Sequence, residues 1–315
     1  MKDKKGELTT QQIVILVVLI ISFIVILFLL VRLNLKGSSE EQICYNSVVT
    51  KGNPALSGTG SLNCEKSYVC ISADKTCEKM SGESEIKEAE SLDDIYQVLA
   101  DEMANCWWMF GEGKIDYLRD KALQKNYCSI CTQLAFDDSI KDIKDGEENS
   151  VFEDNKLSKD ELYNYLAKTE MSEDLTYAEY LFGTSNVELL KSAIANDEEN
   201  TEGIVTFGTI DIDTQSFVVM GIVSEVGNFY KILGGVLIVA AFATPVGWVA
   251  GAIIAGSGAG AIIVGEDISE KFEPEIMAIM VEGDGIDNEF MVPTIVEANS
   301  AKFELLECKD VMTLV

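Results

Sequence analysis

Histidine is absent from all 315 residues. That one lack removes Ser-His-Asp and Cys-His catalysis together with every histidine-ligated metal site. Positive charge is scarce as well: 24 Lys and Arg stand against 53 Asp and Glu, for a formal charge of −29. Such an excess repels phosphate backbones, which excludes nucleic acid as a partner, and keeps a chain soluble. The common nucleotide cradles are missing too, since there is no G-x-x-x-x-G-K-[ST] and no G-x-G-x-x-G between strand and helix. The stretch GSGAG, residues 256–260, lies in an apolar run with no lysine nearby and reads as a packing element. No cofactor is implied, and no catalytic site is evident.

A second C-x-x-C is also lacking. The one such pair is CSIC at 128–131, whereas a four-cysteine zinc site commonly brings two. The eight cysteines, Cys44, Cys64, Cys70, Cys77, Cys106, Cys128, Cys131 and Cys308, form an even set that suits disulfides in an oxidising compartment. Eight thiols allow 105 pairings, and proximity suggests only Cys70 with Cys77. A redox role for Cys128 and Cys131 is the alternative, but such pairs open a helix, and YCSICTQLAF alternates like a strand, with Cys128, Ile130, Thr132, Leu134 and Phe136 on one side. A calcium loop ending at Glu161 fails because its third position is Phe152 and its sixth is Asn155 in place of glycine.

What the chain does contain is apolar sequence in long runs. Ile13 to Val31 has Ser22 as its single polar residue, and about 20 helical residues span a bilayer core. Lys2, Lys4 and Lys5 precede the run, while the acidic excess lies beyond Lys36. The expectation is an uncleaved transmembrane anchor with a cytoplasmic N-terminus and the bulk of the chain extracellular. The division expected is a tail at 1–12, an anchor at 13–31, a Cys-rich membrane-proximal region at 37–90, an α+β ectodomain from 91–230 and 266–315, and a glycine-rich insertion at 231–265.

That insertion carries no charge from Gly234 to Gly265. As one helix it would extend about 50 Å, too long for a single span. Pro245 breaks it, so a helical hairpin is expected, with Gly247, Gly251, Ala255, Gly256, Ala259 and Gly260 forming a small-residue groove for helix packing. Two uses remain open for it: entry into a membrane, including pore formation, or burial in the ectodomain.

The rest is read by period. Leu92, Ile95, Tyr96, Leu99, Met103, Cys106, Trp107 and Phe110 recur at helical spacing, and Gly111 and Gly113 stop the helix. Trp108 lies off that stripe and is expected to seal against the CSIC strand, the membrane surface or a partner. Capping boxes at Ser158/Glu161, Thr176/Glu179 and Ser185/Glu188 mark three helix starts. Short strands are expected at 47–49 and 68–71, a hairpin between GIVTFGTIDID and SFVVMGIVSEV, and further strands at EIMAIMVEGD, FMVPTIVEA, AKFELLEC and VMTLV.

The segments KKGELTTQQIVILVV, ICYNSVV, DEMANCWWMFGEGKIDY, YCSICTQLAF and LSKDELYNYLAKTE resemble a group of uncharacterised single-anchor membrane proteins of small-genome archaea, over residues 1 to about 183. The resemblance implies an archaeal cell-surface protein and carries no activity or site. The opening is also similar to archaeal type IV pilin-like leaders, with Lys4 and Lys5 before a cleavage point at Gly6; this implies a filament subunit. The function expected is that of a membrane-anchored surface protein working by interaction, with membrane lipid, other surface proteins or further copies of itself as partners.

Overall fold

The computed structural model describes residues 10–32, 35–53, 55, 61–80, 82, 84–118, 126–144, 150–152, 154–187, 206–224, 236–242, 249–253, 275–282, 288–306 and 308–311. The chain divides into two units, Met1–Gln42 and Ile43–Val315.

In the first unit the apolar run forms α1, Thr10–Arg32. Consecutive side chains from Val14 to Val25 stand exposed on every side of it, from 46% at Val17 to 63% at Leu19. Among the described residues no helix is long and apolar enough to cross a membrane, which corrects the expected N-terminal transmembrane helix.

The second unit is α+β and is organised around a mixed sheet of nine strands. In chain order they are β1 (Ser67–Ser72), β2 (Glu85–Glu88), β3 (Asn126–Phe136), β8 (Ser216–Ser224), β9 (Val236–Phe242), β10 (Val249–Ile253), β11 (Glu275–Glu282), β12 (Asn288–Glu297) and β13 (Cys308–Val311). Strand order runs β10-β9-β11-β12-β8-β3-β1-β2, with β13 also on β3. β3 is the organising strand. One side of it pairs antiparallel with β8; the other pairs in parallel with β13 over Asn126–Cys128 and with β1 over Thr132–Phe136. Among the described residues there are also two two-stranded ladders, β4 (Lys156–Ser158) with β7 (Thr209–Asp211), and β5 (Glu170–Ser172) with β6 (Leu175–Thr176).

The long helix α3, Leu92–Met109, lies against β8, β12 and β3. Ser91 caps it by accepting from the Asp94 amide, and Asp93 and Asp94 place negative charge at the positive end of its dipole. Its stripe is buried as the period predicts: Ile95, Leu99, Met103, Cys106 and Trp107 pack in one core with Val218, Met220, Ile222, Phe290 and Val292. Gly111 and Gly113, at φ +82 and +71, end it in left-handed turns. Beside α3 lie α4 (Lys159–Lys168) and α5 (Tyr177–Phe182). Thr176 and Glu179 form a complete capping box, and Ser158 caps α4 through the Glu161 amide; Glu188 of the third expected box is outside the described residues.

Several expectations are corrected. Residues 47–49 belong to the helix α2, Leu35–Gly52, not to a strand. β7 pairs with β4, so the expected hairpin with β8 does not form. AKFELLEC contributes the short helix α6, Ala301–Leu305, because Ser300 accepts from the Phe303 amide and turns the chain. The inserted helical hairpin is replaced, where described, by strands: β9 pairs in parallel with β11 and antiparallel with β10. Its VLIVAAF sequence is rich in β-branched residues that suit a pleated surface. Gly251 therefore lies in a strand, while Gly247, Ala255, Gly256, Ala259 and Gly260 lie outside the described residues, as does Gly6.

Candidate interaction surface

All eight cysteines are bonded, and the partners explain the CSIC spacing. Cys128 joins Cys308, tying β3 to β13, and Cys131 joins Cys106, tying β3 to α3. A bulge in the β3–β8 ladder between Ile130 and Thr132 lies at Cys131. Beyond it the alternation changes phase: Tyr127 precedes it and Leu134 and Phe136 follow it in the α3-side core, while Cys131 and Thr132 both meet α3. Strict alternation from Cys128 to Phe136, as read from the sequence, is thus interrupted. The two thiols belong to different bonds and do not form a paired redox loop. Cys44–Cys64 ties α2 to the segment before β1, and Cys70–Cys77 closes the turn after β1, the pairing that proximity suggested.

Thr132 holds a buried polar contact at this bulge. Its hydroxyl donates to a Glu102 carboxylate oxygen at 2.6 Å and accepts from Ser67 at 2.9 Å. Glu102 and Thr132 are 8% and 1% exposed.

The opposite, outward ridge of α3 gathers the most organised set of half-exposed polar and aromatic groups. Gln97, Asp101 and Trp108 lie on this ridge, Asp101 about one and Trp108 about three helical turns beyond Gln97, toward α2, α4 and α5, and Glu112 follows just past the end of the helix. The Gln97 amide donates to Asp101 at 3.0 Å and to the Tyr177 hydroxyl at 2.7 Å, and Tyr165 donates to the Gln97 carbonyl at 2.5 Å. Tyr177 in turn donates to Asp101 at 2.5 Å. One turn beyond the helix, Tyr180 donates to Glu112 at 2.8 Å and Lys114 pairs with the same carboxylate at 2.6 Å. Trp108, off the apolar stripe, finds its cover in Tyr45 of α2, with ring centroids 4.7 Å apart and planes 10° from parallel.

Burial and hydrogen bonding shift the phenols of this seam and one of its carboxyls. Burial pushes the Tyr177 phenol upward, and its bond to Asp101 pushes it further; burial and Glu112 do the same to Tyr180. Burial would raise Glu112 as well, yet the bonds from Lys114 and Tyr180 outweigh it and hold the carboxyl below its usual range. The Tyr177 and Tyr180 phenols are therefore held as donors, and the Glu112 carboxylate is held as an acceptor.

No group of His, Cys, Asp and Glu placed to hold a metal occurs among the described residues. At the calcium-like stretch, Phe152 is buried and Glu161 accepts from the Tyr96 hydroxyl at 2.9 Å, a helix-start geometry. Gln97, Asp101, Tyr165, Tyr177 and Tyr180 were not singled out by motif; the signal available was the i, i+4 spacing of Gln97 and Asp101 on the face of α3 opposite its apolar stripe. The chain matches no family model, no curated protein and no solved structure.

Proposed function

We propose that this is an exported protein of the cell surface that works by interaction rather than catalysis. The observation that supports this most is that the structure bonds all eight of its cysteines, joining α2, α3, β1, β3 and β13. A framework of that extent persists in an oxidising compartment and is removed by cytosolic thiols. The surplus of acid supports the same reading, because it keeps a surface domain soluble and turns away nucleic acid. The partners are other surface proteins or further copies of the chain. The α3 seam offers them a rigid acidic and aromatic face, and the exposed side chains of Val14 to Val25 offer an apolar one.

The test is a thiol count on protein taken from its own cells under acid quench. No cysteine should react with an alkylating reagent until a reductant is added. Full alkylation of all eight without reductant would place the chain in a reducing compartment and end this reading.

A further inference from the structure

We propose that Cys128–Cys308 is a reducible latch holding β13 on the edge of β3, and that a dithiol opens it without unfolding the domain. Among the four disulfides, Cys44–Cys64 and Cys106–Cys131 have both members at 1% exposure or less. In the other two one member is buried and one is half-exposed: Cys128 with Cys308, and Cys70 with Cys77. An attacking thiolate reaches a sulfur it can approach, so these two are the open routes.

Their consequences differ. The Cys70–Cys77 turn is pinned without its bond, since Asp74 accepts from the Ser72 hydroxyl and from the Thr76 amide, and Asp137 accepts from the Glu78 amide. Among the described residues, β13 is held by its ladder to β3 and by this bond. The chain is anchored as far as Leu306, which is fully buried, with Phe303 packed edge-on against Phe217 at 5.6 Å. Beyond that point β13 is a four-residue parallel strand whose register to β3 shifts between Cys308 and Asp310. A short irregular parallel ladder is weak by itself, so the cross-link is what keeps it closed.

The step balances as an ordinary exchange. A thiolate of the dithiol attacks Sγ of Cys308, forming a mixed disulfide and expelling the Cys128 thiolate, which takes up a proton. The second thiol then attacks its neighbour, releasing Cys308 as a thiol and leaving the reductant as a cyclic disulfide. The two protein sulfurs gain two electrons and the dithiol loses two. The product is a domain whose β3 edge over Asn126–Cys128 carries unpaired backbone groups, a template for an added strand.

The experiment uses the full chain with limiting dithiothreitol, acid quench, alkylation of free thiols and peptide mass analysis, with hydrogen exchange on the same samples. Cys128 and Cys308 should be labelled while Cys44, Cys64, Cys106 and Cys131 stay oxidised. Exchange at Asn126–Cys128 should rise by about tenfold or more, with protection retained over Leu99–Met103. Labelling of Cys128 only together with Cys106 would show global unfolding and overturn the proposal; so would opening of the bond with unchanged exchange on β3. As a second arm, the Cys128→Ser/Cys308→Ser double variant should show the raised exchange with no reductant. Native protection on β3 in a folded double variant would also refute the latch.

Discussion

Thr132→Val tests whether the buried contact at the β3 bulge holds the helix layer to the sheet. Valine matches threonine in volume and branching, so the substitution removes a hydroxyl and leaves the packing nearly unchanged. What is lost is the 2.6 Å hydrogen bond into the Glu102 carboxylate, at a site where both residues are less than 10% exposed. A hydrogen bond to a charged group contributes about 1.5–3 kcal/mol, and withdrawing one donor from a buried carboxylate leaves part of its desolvation uncompensated. The expected loss is about 2 kcal/mol. Ser67 is exposed, so its hydroxyl can turn to water, and Ser67→Ala should cost less than about 1 kcal/mol. Equilibrium urea unfolding of the oxidised protein measures both. A cycle with Glu102→Gln should give a coupling of about 1–2 kcal/mol between Glu102 and Thr132. If Thr132→Val unfolds within about 0.5 kcal/mol of the parent, the carboxylate draws its support elsewhere and the reasoning fails.

Two further outcomes follow from the geometry. Gly113→Ala should lower the urea midpoint by an amount equivalent to about 1–2 kcal/mol, because φ is +71° and the added methyl would meet the Trp107 ring at 3.2 Å; a neutral result would mean the turn relaxes freely. Tyr180→Phe removes one of the two bonds that hold Glu112 below 4.5, so its pKa should move up toward the ordinary value, as followed by carboxyl NMR against pH. A depressed carboxyl contributes stability above pH 4.5 that is lost as pH falls through the folded value. The variant's acid unfolding should accordingly begin at higher pH, and an unchanged acid limb would remove Tyr180 as the cause.

The elements that were legible in the sequence are those whose signal is local. The α3 stripe from Leu92 to Trp107 and its Gly111 stop, the Thr176/Glu179 capping box, and the strand over Tyr127–Phe136 all formed where period and capping placed them. Each is decided within a few residues by side-chain direction and backbone satisfaction. Where two local signals competed, context chose. The Ser47–Val49 segment has strand-forming valines but lies within α2, where Cys44 and Val48, one turn apart, are both buried. The glycine-rich run carries both small-residue spacing and β-branched residues; where described, partner strands supplied the hydrogen bonds and the strand prevailed.

Sequence by itself determined the chemistry that is missing, the acidic character, the helical stripe of α3 and the even cysteine set, because composition and short-range periodicity depend on no distant partner. Tertiary structure alone decided which cysteines meet, how the phase of β3 changes at Cys131, and that β7 joins β4 instead of β8. It also brought Gln97 and Asp101 to Tyr177, about eighty positions away in the chain. These are long-range pairings, and their free energy comes from contacts that exist only after the sheet has assembled, so no local pattern records them.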